Sequence, residues 1–182
     1  MPAVMSTETS STIQTRFVCA SALNLPFPDA EFDFATSFMA LMDVPDHARA
    51  LGEAWRVLRA GGFFQFSICH PCFFTRKSDW TTDDLGRRVA RTCTDYFQPA
   101  QGEVDRWMFG RAPAELRGDI DEFMIPRFER TLSGWLNLAL AAGFALEAFH
   151  EPSASDTDLV KEPSLYDTRI VAYALIVRCR KP

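Results

Sequence analysis

The run Cys69-His70-Pro71-Cys72 puts two thiols and an imidazole within four residues, a combination that serves redox exchange, metal binding or proton transfer. A redox pair needs its first cysteine at a helix N-terminus, where the dipole and free amides lower the thiol pKa. Here Cys69 closes the apolar run from Phe63, and Pro71-Cys72-Phe73-Phe74 leads into aromatic sequence, so that requirement is not met. A structural zinc site takes four ligands. This run offers three, no second close cysteine pair exists, and no metal is expected. His70 is left as the candidate catalytic residue. With an ordinary pKa of about 6.5, its ring either accepts a proton from a substrate hydroxyl or amine, or is satisfied by a neighbouring backbone group. Further along, Trp80, Tyr96 and Trp107 are candidates for substrate binding, as rings that wall a small-molecule pocket and stack on a cation. They would serve equally as a small core of their own. Arg130 either grips a substrate carboxylate or pairs with Glu129 or Asp167.

These residues need elements to position them. Phe32 to Phe38 and Phe63 to Cys69 read as strands, and Phe17 to Ala20 as a shorter one. Leu25-Pro26-Phe27-Pro28-Asp29 is a turn, since two prolines two residues apart forbid a regular ladder. Between the two longer strands Asp46 is an N-cap, and Ala48, Leu51, Trp55 and Leu58 recur at helical spacing. Arg56 and Arg59 suit the negative end of that helix dipole, and Gly61-Gly62 stops it. Strand, helix and strand with short links make a right-handed parallel crossover. From Phe73 to about Pro126 the period is lost. Aromatics, including Phe109, mix with charges and with prolines at 99 and 113, as expected of a lid or insertion. A helix from Thr131 or Ser133 to Gly143 follows, then strands from Phe144 to His150 and from Ile170 to Cys179, the second apolar on both faces and so central. Residues 1–14 read as a flexible tail and 15–182 as one domain.

At 182 residues and 47% hydrophobic content the chain is long and apolar enough for one sizeable core. A net charge of −5 gives no general pull on phosphate backbones, so nucleic acid is not an expected partner. The longest apolar run, Ile170 to Val177, is far too short to span a bilayer, and Met1 to Gln14 lacks the pattern of a secretory signal. Five cysteines at irregular spacing do not form a secreted disulfide framework. A soluble, cytoplasmic protein is expected.

Several spaced blocks are familiar together. Ala20-Ser21-Ala22-Leu23-Asn24-Leu25-Pro26-Phe27-Pro28-Asp29, Glu31-Phe32-Asp33, and Glu53-Ala54-Trp55-Arg56-Val57-Leu58-Arg59-Ala60-Gly61-Gly62 strongly resemble the second half of class I S-adenosylmethionine-dependent methyltransferases of the small-molecule type. Arg130-Thr131-Leu132-Ser133, Ala142-Gly143-Phe144 and Glu151-Pro152 look like one bacterial subgroup of that family, which also carries His-Pro-Cys-Phe. The resemblance covers residues 17–74 and 127–181. It implies a Rossmann-like α/β fold whose ligands bind beyond the carboxyl ends of the strands. It implies S-adenosylmethionine as cofactor, with Ser21, Ala22 and Leu23 at the adenine and Ser37 and Phe38 at the methionine end. Where the family has an acidic residue at the adenine, this chain has Ser21. Read without the resemblance, Ser21 and Ser37 are ordinary turn and strand-end polarity.

Family members open with a strand, a Gly-x-Gly turn, a helix and a second strand, whereas this chain has no glycine before Gly52. The resemblance therefore implies a truncated, mainly parallel sheet of about five strands in the family order 3-4-5-7-6, its last strand antiparallel. The cofactor site is then incomplete in the single chain, and S-adenosylmethionine is either retained or lost. Either Phe17 to Ala20 pairs with Phe32 to Phe38, or an exposed edge is covered by another chain, and a homo-oligomer is expected. The expected function is methyl transfer to a small molecule. The alternative is a non-catalytic module of the same descent that binds a ligand or assembles through its edge.

Overall fold

The computed structural model describes residues 15–107 and 121–182. The expected tail at 1–14 and the insertion residues Phe109 and Pro113 lie outside them.

The first element, strand β1 (Phe32–Phe38), enters a 3-10 turn (Leu41–Asp43) and then helix α1 (His47–Val57). The helix starts where the sequence places it, because the Asp46 side chain accepts from the Arg49 N–H at 3.0 Å. Its buried face is His47, Ala50, Leu51, Ala54 and Val57, one position round from the expected stripe, and Ala48 is exposed. Strand β2 (Leu58–Cys69) follows with no intervening loop. The insertion is two antiparallel hairpins, β3 (Lys77–Thr82) with β4 (Arg88–Thr94), and β5 (Gln101–Trp107) with β6 (Phe123–Phe128). Helix α2 (Leu132–Ala141) is capped by Thr131, whose hydroxyl accepts from the Gly134 N–H at 3.1 Å. Then come β7 (Ala145–His150), the short α3 (Asp156–Lys161), a 3-10 turn (Pro163–Arg169) and β8 (Ala174–Arg180).

The central sheet has four strands in the order β1-β2-β8-β7. β1 and β2 are parallel, and β8 runs antiparallel to both of its neighbours, so the sheet is mixed. The expected fifth strand is not formed. Residues 16–20 have no regular secondary structure, and Ser21 makes only an isolated bridge to Asn24. β8 is central as expected, but it begins at Ala174 rather than Ile170 because the preceding residues are used in the 3-10 turn and a bend. Alternate residues of the two middle strands, Phe64, Phe66 and Ile68 with Leu175, Val177 and Cys179, form the core with Leu51 and Ala54 of α1 and Trp135 and Ala139 of α2. On the opposite alternation Phe34 stacks on Phe63 at 5.4 Å, and Arg178 lies 3.9 Å over the Phe63 ring. The free edge of β1 leaves Phe38 82% exposed and Phe34 59% exposed.

Three charged residues of α1 fasten the preceding turn. Arg56 donates to the Leu25 and Phe27 carbonyls and to Asp29, while Glu53 accepts from Arg56 and from the Leu25 N–H. Arg49 holds the Leu23 carbonyl at 2.7 Å. Arg56 thus serves the loop rather than the helix dipole, and Arg59 lies beyond the helix, paired with Asp33 at 2.7 Å. No helix among the described residues is long and apolar enough to cross a membrane.

Candidate functional site

β1 leaves the sheet through Met39, whose φ of 48° is a left-handed conformation that a residue with a side chain seldom adopts. Ser67 on β2 holds it there, since its carbonyl and its hydroxyl accept from the Met39 N–H at 3.0 and 3.1 Å. The 3-10 turn that follows brings Met42 and Asp43 beside Cys69, the last residue of β2. Above them stands the β5–β6 hairpin, and Tyr173 comes from the approach to β8. Between these elements is a cavity of about 480 Å³ lined by Met39, Met42, Asp43, Cys69, Asp105, Arg106, Ile125, Arg127 and Tyr173. A volume of that size is ordinary for a small-molecule site.

The polar lining is unevenly paired. Arg127 meets Asp105 at 3.0 Å and Glu129 at 3.4 Å, so one guanidinium serves two carboxylates. Asp43, half-buried, has a carboxylate with no hydrogen bond or ion pair among the described residues. Burial raises its pKa, with Arg127 opposing and Asp105 reinforcing. Burial likewise raises the Cys69 thiol, against the pull of Arg127, and raises the Tyr173 phenol. At neutral pH the cavity floor therefore holds a thiol and a phenol in their neutral forms.

A smaller cavity of about 20 Å³ adjoins, sharing Met42, Cys69 and Arg127, and Tyr96 and Arg130 line it. The Tyr96 hydroxyl accepts from the Leu132 N–H at 2.8 Å, which fixes the ring against the start of α2. Arg130 pairs with neither of its expected partners. It donates to His47 Nδ1 at 2.8 Å, while Asp167 pairs with Arg88 and Glu129 with Arg127. Trp80 lies apart on β3, with Arg88 and Arg91 over its ring at 4.9 and 5.0 Å, and lines neither cavity. Trp107 ends β5, next in sequence to Arg106 of the larger cavity.

His70 sits one residue past Cys69, buried, with both ring nitrogens occupied. Nδ1 accepts from the Cys72 N–H at 3.2 Å, which leaves the proton on Nε2 to face Glu151 at 2.6 Å. The ring stands 4.8 Å from Phe73 and lines neither cavity. That geometry is the satisfied histidine, and Glu151 of the Glu151-Pro152 block is its partner. Among the described residues no three His, Cys, Asp or Glu side chains converge to hold a metal ion.

The residues expected at the cofactor stand in two places, the carboxyl end of β1 and the turn before β1. Ser37 and Phe38 stand at the carboxyl end of β1 beside the cavity, and the exposed Phe38 ring offers an apolar face. The turn at Ser21, Ala22 and Leu23 lies near α1 through Arg49, but the Ser21 hydroxyl is taken by the Leu23 N–H at 3.2 Å. No acidic side chain stands in that turn to read a ribose or an adenine amine. Asp43, Asp105, Arg127 and Tyr173 escape sequence reasoning because they come from four separate elements.

Residues 3–66 match the family described as methyltransferase domain. Among curated proteins, a demethylmenaquinone methyltransferase of Thermus thermophilus is 46% identical over 50 residues, 28% of this chain and 23% of that protein. A ubiquinone/menaquinone biosynthesis C-methyltransferase UbiE of Rickettsia bellii is 49% identical over 49 residues, 27% of this chain and 20% of that protein. The chain thus matches less than a quarter of the length of either relative. Among solved structures, an S-adenosylmethionine-dependent methyltransferase from Mesorhizobium loti superposes with a TM-score of 0.67 at 27% identity, over 88% of this chain and 67% of that one.

Proposed function

We propose that the chain, similar in part of its sequence to a methyltransferase domain and in fold to an S-adenosylmethionine-dependent methyltransferase, carries the acceptor side of a small-molecule methyl-transfer site. The observation that supports this reading is the cavity of about 480 Å³ beyond the carboxyl ends of β1 and β2, roofed by the inserted hairpin β5–β6. S-adenosylmethionine, when bound, supplies an activated methyl group on a sulfonium. The residues present at its methionine end are Ser37 and Phe38. Methyl transfer needs alignment of the reacting atoms more than any single catalytic group. In this chain alignment falls to Met39, pinned by Ser67, and to Arg127, pinned by Asp105 and Glu129. His70 orders the end of β2 through Cys72 and Glu151 rather than meeting the acceptor.

The position of β1 at the edge of the sheet supports the expectation that a second copy covers it. The exposed rings of Phe34 and Phe38 on an edge strand are the surface such closure would bury. Light scattering is expected to give at least twice the 20.5 kDa of one chain, and a monomer mass across a wide concentration range would refute that assembly.

Titration with S-adenosylhomocysteine, followed by calorimetry and by melting temperature, tests the methyltransferase reading. A ligand present at 100 times its dissociation constant stabilises by about 2.7 kcal/mol, a readily measured rise in melting temperature. The absence of both heat and a melting-temperature rise at millimolar ligand would overturn the reading in favour of a non-catalytic module.

A further inference from the structure

The cavity's charges leave one carboxylate without a partner. Asp105 and Glu129 share Arg127, Arg106 is exposed on β5, and the Asp43 carboxylate makes no hydrogen bond or ion pair among the described residues. A half-buried carboxylate loses hydration that only a donor or a cation restores. The same cavity is lined by apolar and polarisable groups, Met39, Met42, Ile125 and the Tyr173 ring. Aromatic faces attract cations, and thioethers fit irregular apolar bodies. We propose that this cavity takes an acceptor carrying an amine on an apolar, ring-sized body, with the ammonium held by Asp43. The proposal rests on the reading of the cavity as the acceptor site. A carboxylate-bearing ligand would instead face Asp43 and Asp105 with only a shared Arg127 and an exposed Arg106 in its favour. A neutral alcohol would give Asp43 one ordinary hydrogen bond, weaker than a charge-assisted one.

The test is calorimetric binding of 2-phenylethylamine, 2-phenylethanol and phenylacetate to the purified chain, without any turnover. The amine is expected to bind at least about tenfold more tightly than the alcohol, and phenylacetate the most weakly. Asp43→Asn is expected to erase the preference for the amine while the alcohol's affinity holds, and Asp43→Glu to keep part of it. Equal or tighter binding of phenylacetate, a preference that survives Asp43→Asn, or no binding of any probe would each overturn the proposal. If Asp43→Asn does not fold, the order of the three probes on the unmodified chain still decides. S-adenosylhomocysteine titrated alongside separates the two readings. Stabilisation by it without amine selectivity overturns the amine alone, and amine selectivity without it overturns methyl transfer alone.

Discussion

Lowering the pH from about 7 to about 4 is expected to remove on the order of 3 kcal/mol of folding stability through His47 alone. The ring is 2% exposed, wedged between Trp135 at 4.4 Å and Phe128 at 6.5 Å. Burial first, and the Arg130 guanidinium beside it second, lower its pKa from 6.5 to about 4. Arg130 donates to Nδ1, so the ring proton sits on Nε2, which has no hydrogen-bond partner among the described residues. The unfolded chain therefore binds a proton between pH 6.5 and about 4 that the folded one refuses. Stability from this group is whole above the upper value and is lost as the pH falls through the window. Glu53, held at about 2 by Arg56 and the Leu25 N–H, begins its own loss only below its ordinary 4.5. The His47 effect acts alone in the upper part of this range, and the two overlap only between about 4 and 4.5. Denaturant unfolding at half-unit pH steps reads the slope, and in His47→Gln, whose amide can still accept from Arg130, the upper limb should flatten. An unchanged limb in that variant would refute the assignment.

Gly62→Ala is expected to cost roughly 1–3 kcal/mol, the range of an overpacked interior, because there is no room for a methyl group. A Cβ at that position would lie 2.8 Å from the Asp33 carbonyl oxygen and 2.9 Å from that of Arg59, and both are backbone atoms that cannot swing aside. Gly61 beside it sits at φ 78°, a conformation that the turn into paired strand requires and that glycine adopts without strain. Gly52 is the contrasting control. It lies in α1, where an added Cβ would have nothing within 4 Å, and Gly52→Ala should stabilise by about 0.5–1 kcal/mol through helix propensity. Chemical denaturation of both variants measures the pair, and equal stability of Gly62→Ala and the parent would show that β1 and β2 part there without cost.

The local parts of the fold are legible in the sequence and the long-range ones are not. Asp46 and Thr131 mark their helix starts correctly because caps act within a few residues, whereas Gly61-Gly62, expected to stop the helix, lie inside β2, and α1 ends at Val57. Phe17 to Ala20 has a strand's composition but finds no neighbour to pair with, and Phe17 is 94% exposed. Strand pairing depends on what lies alongside, which composition does not state. The insertion shows no clean alternation because hairpins on a surface bury little. Arg130, read by charge alone, is assigned a carboxylate, whereas its partner is a neutral imidazole far along the chain. His70 stands out by its neighbours in sequence, and the cavity beside it belongs to residues that only the folded chain assembles.

The position of β8 between β2 and β7 has a kinetic consequence. Phe63 pairs with Arg180 across the whole insertion, and β8, one of the sheet's two middle strands, is the last described element to be synthesised. Until it arrives, Phe64, Phe66 and Ile68 lie on a strand with the β1 ladder on one edge and none on the other. Closing so long a loop before its contacts form is slow, since the entropy of closure precedes the reward. The interval before β8 docks is thus expected to be the one in which aggregation competes with folding.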